Sequence, residues 1–191
     1  MIDKEYKIFE AFNKQLKKAN IHLTIICAGG FVLQHYGMRA TVDINAFYNE
    51  TNEIRTIIRK TGDLLDINPA DENWLNNSIQ SMNEVPPKDI CKVLYQFSNL
   101  QVLIPPLAYI AGMKLKSARE QDIRDVALIL ERLSIDSPEQ FEKILNDYGF
   151  INIDESLILE AFGTAYGFEW LEKYYIENEE AIIQKIRNNI H

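Results

Sequence analysis

Over residues 4–19, Ile8, Phe9, Phe12, Leu16 and Ala19 fall on one helical face with Lys and Gln opposite, which predicts an amphipathic helix. The nearly unbroken apolar run Leu23 to Cys27 predicts a strand. Gly29-Gly30 closes it, Phe31 to Tyr36 resumes helical spacing, and Gly37 stops that spacing, so the glycine pair sits at a strand-to-helix turn. Thr41 to Tyr48 reads as a second strand, Glu50 to Leu65 as a helix, and Glu72 to Met82 as another helix. After the break at Pro86-Pro87, Lys92 to Phe97 and Leu100 to Ile104 read as two strands joined by a turn at Ser98-Asn99.

Beyond Pro105-Pro106 the period is helical throughout: about 107–118, 120–133, 138–147, 155–166 and 168–189, with Ser137-Pro138 as a cap and first-turn signal. The expected architecture is therefore α/β: a short mixed sheet flanked by helices over 1–105, then a helical C-terminal region over 106–191 packed on that core. No repeat or low-complexity segment interrupts this order.

Composition changes the picture mainly by exclusion. A chain of 191 residues with 47% hydrophobic and 25% charged residues has ordinary globular proportions. A net charge of −8 argues against a protein whose main task is to grip a nucleic-acid backbone. Cys27 and Cys91 are too few for a disulfide framework and read as core or surface thiols rather than catalysts. The N-terminus lacks an apolar signal-peptide core and no window reaches membrane-spanning length, so the expectation is a cytoplasmic protein without a membrane partner. His22, His35 and His191 share no metal-ligand spacing.

The stretch CAGGFVLQHYGMRATVDINAF, residues 27–47, carries the candidate chemistry. Residues at i and i+2 of a strand share a face, which places Asp43 beside Asn45 while Val42, Ile44 and Ala46 turn to the core. Oxygen ligands paired in this way suit Mg²⁺. A glycine turn ahead of a helix offers backbone N–H groups to phosphate. Phosphate and Mg²⁺ together point to a nucleoside triphosphate.

Gly29-Gly30, then Arg39-Ala-Thr41-Val-Asp43-Ile-Asn45, then Gly112-Met-Lys114-Leu with Arg119, Asp122 and Asp125 at three-residue steps, resembles the minimal nucleotidyltransferases of the AbiEii and DUF6036-type families. The likeness covers about residues 23–130. It implies an Mg²⁺-dependent transfer of a nucleotidyl group from an NTP to an RNA, protein or small-molecule acceptor. It also implies Asp43 and Asn45 on the metal, Gly29, Gly30, Arg39 and Thr41 on the nucleotide, and Lys114 on both chemistry and phosphate, with Asp122 and Asp125 in support. Members of these families include toxin components of bacterial toxin–antitoxin and phage-defence systems. Asn45 stands where the family carries a second Asp, and Leu100 to Ile104 carries no acid, so weak or lost transfer is expected. A catalytically inactive nucleotide-binding or protein-interaction module is the alternative.

Plainer readings stand beside these. Asp43 could be a solubilising charge on an edge strand. Arg39 and Thr41 could serve surface ion pairing. Lys114, among Ile110, Met113 and Leu115, could run its stem along apolar neighbours to solvent. Asp122 and Asp125 could form ion pairs at i,i+3 with arginines of their own helix. The aromatic run Phe162, Tyr166, Phe168, Trp170, Tyr174 and Tyr175 reads as inter-helix packing, dense enough to suit a protein partner or a homodimer surface.

Overall fold

A computed structural model describes residues 4–70, 72–81 and 84–189. The chain divides into two compact units, Met1–Ile110 and Ala111–His191. Among the described residues, no helix is long and apolar enough to cross a membrane.

The first unit is α/β. Its elements run α1 (Lys4–Lys18), β1 (Leu23–Ala28), α2 (Gly30–His35), β2 (Ile44–Phe47), α3 (Asn52–Leu65), β3 (Leu75–Asn76), β4 (Lys92–Gln96) and β5 (Leu100–Ile104), with α4 (Leu107–Ser117) crossing the boundary to the second unit. The five strands form one mixed sheet in the order β3-β2-β1-β5-β4. β1 runs antiparallel to β2 and parallel to β5. A strand so enclosed must be apolar on both faces. Five of the six β1 residues are indeed buried.

Helix α1 lays Phe9, Phe12 and Leu16, all fully buried, into the core. Phe9 meets Phe31 and Trp74 edge-on at ring distances of 5.8 and 5.9 Å, and Phe12 meets Trp74 at 5.5 Å. Edge-to-face packing at these separations adds to the area the rings bury. Helix α3 starts at Thr51, whose hydroxyl accepts from the backbone N–H of Ile54.

Two predicted elements of this unit differ from expectation. Residues 72–81 do not form an α-helix. They hold the two-residue strand β3 and a single 3₁₀ turn, Ser78–Ser81, and Met82 lies outside the described residues. The override is tertiary: the Ile44 N–H donates to the Trp74 carbonyl at 2.8 Å, and β3 then pairs with β2 in parallel, Asn45 beside Asn76. The Trp74 indole N–H donates to the Ile58 carbonyl of α3 at 2.9 Å, and the Trp74 backbone N–H donates to the Asn68 side chain. Those bonds fix the segment in an extended course that a helix cannot follow. The second strand is also shorter than Thr41 to Tyr48, because the chain bends until Ile44, and Val42 is 87% exposed rather than facing the core.

The second unit is all-helical: α5 (Glu120–Leu133), α6 (Pro138–Asp147), α7 (Glu155–Tyr166) and α8 (Phe168–Asn189), the last kinked at Asn178. Ser137 caps α6 through the Gln140 N–H, with Pro138 in the first turn, as its sequence predicts. The aromatic run packs between helices. Phe162 stacks on Trp170 at 5.2 Å, Trp170 stacks on Tyr174 at 5.3 Å, and the Tyr166 hydroxyl donates to the Ile135 carbonyl. Phe168 and Tyr175, by contrast, are exposed.

Trp74 couples α1, α3 and the β2–β3 pair. Trp74→Ala is expected to cost about 3–5 kcal/mol of folding stability. Urea unfolding followed by far-ultraviolet circular dichroism measures this, and a loss below about 1 kcal/mol contradicts the anchoring role.

Candidate active site

The residues singled out by sequence fall into two sets, one inside each unit. Gly29, Gly30, Arg39, Thr41, Asp43 and Asn45 belong to Met1–Ile110, and Lys114, Asp122 and Asp125 to Ala111–His191.

In the first set, the turn after β1 begins at Gly29, whose φ of 61° and ψ of −138° favour glycine. Gly30 then opens α2 and is pressed from the side. A Cβ there would lie 2.9 Å from Arg39 Nη2 and 3.0 Å from Thr41 Oγ1. Gly30 therefore admits the Arg39 and Thr41 side chains, and with Gly29 beside it four of the predicted residues share one neighbourhood. Gln34 of α2 holds the same loop in place, its side-chain oxygen accepting from the Thr41 N–H at 2.8 Å.

Asp43 is the next link. Its Oδ1 accepts from the Thr41 hydroxyl at 3.2 Å. Its Oδ2 accepts from Asn45 Nδ2 at 2.9 Å and from Asn76 Nδ2 at 3.2 Å. The Ser78 hydroxyl lies 2.6 Å from Asn76 Oδ1 and 3.1 Å from Asn45 Oδ1, closing a ring of polar side chains around one carboxylate. Asp43 is thus no edge-strand charge: β2 runs between β1 and β3, and the carboxylate is half-buried with both oxygens bonded.

Asn76 and Ser78 are members of this ring that the sequence reading missed. Their signal was present in the polar run Asn76-Asn77-Ser78 directly after Trp74-Leu75, but the helical reading of 72–82 hid its alignment with Asn45.

The donor set consists of oxygen and amide groups with a single carboxylate, and no cluster of three His, Cys, Asp or Glu that could hold a metal occurs among the described residues. Oxygen donors of this kind suit Mg²⁺, and a site with one protein carboxylate suits an ion that retains waters and shares substrate phosphates. The residues present fit Mg²⁺ carried in with a nucleotide. They do not form an all-protein cage.

A cleft of about 830 Å³ opens beside the ring, with Asp43, Asn76 and Ser78 in its wall. Such a volume is in the range of small-molecule sites. A smaller cavity of about 370 Å³, walled by Phe31, Ile44 and Trp74, also reaches Thr41 and Asp43.

A family model described as a nucleotidyltransferase of unknown function (DUF6036) matches residues 3–175. The chain belongs to this nucleotidyltransferase family. No curated protein and no solved structure matches it.

In the helical unit, Lys114 does not reach solvent. It is 7% exposed, and its ammonium lies 2.8 Å from Asp122 Oδ1 and 2.6 Å from Asp125 Oδ2. Both carboxylates of α5 are thus bridged by Lys114 of α4, and Arg124 pairs with Glu120. Gln121 donates to Asp125 Oδ1 at 3.0 Å. A phosphate contact from Lys114 therefore competes with these two carboxylates.

The two thiols stay out of the chemistry. Burial raises Cys27 far above the ordinary thiol range. Burial first and the Asp89 charge second push Cys91 up to about 11, which leaves about one thiolate in ten thousand at pH 7.

Removing one member of a buried ionic cluster strands the others. Lys114→Ala is therefore expected to cost about 3–5 kcal/mol, while the triple variant Lys114→Met, Asp122→Leu, Asp125→Leu recovers most of that loss. Urea unfolding of both reads the difference, and equal stability of the two variants contradicts a buried charge cluster. Iodoacetamide labelling at pH 7.5 is expected to leave both cysteines largely unmodified until denaturant is added, because the thiolate is the reactive form.

Proposed function

We propose that the protein transfers a nucleotidyl group from an NTP, using the Asp43 ring as its reaction centre. The observation that carries this reading is the convergence of Thr41, Asn45 and Asn76 on one carboxylate at the wall of a ligand-sized cleft. A carboxylate held by neutral donors keeps its position, which is the preorganisation that charge development in a transition state exploits.

In this reading the triphosphate lies against the Gly29-Gly30 turn with Arg39 as its cationic partner, since a guanidinium pairs well with phosphate oxygens. Thr41 supplies a hydroxyl beside Asp43 Oδ1. Asp43 and Asn45 would hold Mg²⁺, which when bound offsets charge on the phosphates. The acceptor hydroxyl oxygen forms a bond to the α-phosphorus as the bond to the α–β bridging oxygen breaks. Pyrophosphate leaves with that electron pair, and the hydroxyl proton passes to water. The protein's part is to align the two oxygens on the phosphorus and to balance charge. Lys114 contributes to phosphate binding only by exchanging a carboxylate for a phosphate.

Asn45 favours a second reading as well. With one carboxylate where the family motif has two, the same site can hold a nucleotide without turning it over.

Calorimetric titration of ATP, GTP, CTP and UTP, with Mg²⁺ and with EDTA, tests the site. At least one NTP is expected to bind in a metal-dependent manner, with affinity falling about tenfold or more in Asp43→Ala, the loss of a charge-assisted contact. Retention of full affinity by Asp43→Ala removes Asp43 from the site. Asn45→Asp is expected to raise Mg²⁺-dependent pyrophosphate release about tenfold, because it adds a second carboxylate to the metal's donors. An unchanged rate in Asn45→Asp argues for the non-catalytic reading.

A further inference from the structure

Asp43 lines two cavities, and each of its oxygens is bonded to a residue that lines one of them. Oδ1 is bonded to Thr41, which lines the smaller cavity, and Oδ2 is bonded to Asn76, which lines the cleft of about 830 Å³. A transfer reaction needs a donor and an acceptor to meet at one group from different directions. We propose that this larger cleft is the acceptor subsite and that it takes a small hydroxylic molecule carrying a phosphate monoester. The proposal rests on the nucleotidyl-transfer reading of the Asp43 ring.

The chemistry of α3 supplies the reason. Arg55 and Arg59 stand four residues apart on the helix, as do Thr56 and Lys60, and all four line the cleft. Arg55 is paired with Glu50, and Arg59 with Asp63 and the Glu72 carbonyl. These partners hold each guanidinium in place without burying it, and Lys60 enters no ion pair among the described residues. Two positioned forks and a point charge suit a phosphate monoester, which has several oxygens to share.

Charge balance limits the size of that anion. Among the described residues, the wall holds three cations and three carboxylates, Asp43, Asp63 and Glu72, so an anion meets local cations there but no extended positive field. A polynucleotide gains affinity from many phosphate contacts on a basic track, and a chain of net charge −8 offers no such surface in its overall balance. One phosphate at α3 leaves the rest of a sugar-sized molecule to extend towards Asn76, Ser78 and the Asp43 carboxylate, where its hydroxyl is needed.

Calorimetry with ribose 5-phosphate, ribose, ATP and a short single-stranded RNA, all with Mg²⁺, tests this on the full chain. Ribose 5-phosphate is expected to bind at least about tenfold more tightly than ribose, the difference being one charge-assisted phosphate contact. In the variant Arg59→Gln, Lys60→Gln, whose two side chains are exposed, that preference is expected to fall below about twofold. ATP affinity in the same variant is expected to change by less than about twofold, and a melting curve confirms that the variant is folded. Equal binding of ribose and ribose 5-phosphate overturns the proposal. So does a loss of ATP affinity matching the loss for ribose 5-phosphate, which assigns the cleft to the donor. Tighter binding of the RNA than of ribose 5-phosphate, abolished in the variant, overturns it in favour of a polymeric acceptor. Asp43→Ala separates the two levels: unchanged ATP affinity there defeats the transfer reading, whereas the phosphate preference of the α3 face reports on the cleft itself.

Discussion

A half-buried carboxylate in a bend before a strand must have its lone pairs filled by fixed donors, and in this protein much of the first unit is arranged around that demand. Asp43 precedes β2 by one residue. Its donors come from its own loop, its own strand and the neighbouring strand β3. β3 can supply Asn76 only because Trp74 is locked between α1 and α3, so the aromatic core and the polar ring form one construction. The glycine turn belongs to it too, since Gly30 leaves the room in which Thr41 and Arg39 approach.

The two units handle charge differently. Around Asp43 the partners are neutral amides and hydroxyls on the rim of a cleft, a setting in which a ligand can replace them at modest cost. Around Lys114 the partners are two carboxylates out of solvent, a setting in which loss of any member leaves a buried ion unmatched. Replaceable partners suit ligand binding, and irreplaceable ones suit the fixing of α4 against α5. The helical unit's stacked aromatics, Phe162, Trp170 and Tyr174, extend that fixed packing away from α5.

Most elements were legible in the chain because their apolar periods were strong and their caps were local. Ser137-Pro138 starts α6 from signals within four residues, and the helices from α5 to α8 begin and end where the pattern places them. The glycine pair, Arg39, Thr41, Asp43 and Asn45 were legible as a motif, and they lie within the residues 3–175 that the family model covers. The segment 72–82 was misread because polar and apolar residues there are compatible with a helical period, while its hydrogen-bond partners lie far off in sequence, at Ile44, Ile58 and Asn68. Lys114 was read as a site residue on the strength of the family resemblance, with a stem running to solvent as the plainer alternative, and nothing local announces that carboxylates eight and eleven positions later lie against it.

By itself the sequence determined the α/β-then-helical order, the central apolar strand, the glycine turn and the Asp43-Asn45 pair, all set by contacts within a few residues or by burial periodicity. Tertiary structure decided which strand lies beside β2, that Asn76 and Ser78 complete the ring around Asp43, that Lys114 is held by two carboxylates, and that α3 lends its basic face to the cleft. Each of those depends on pairing between segments distant in the chain, which is chosen by the packing of the whole unit and carries no period of its own.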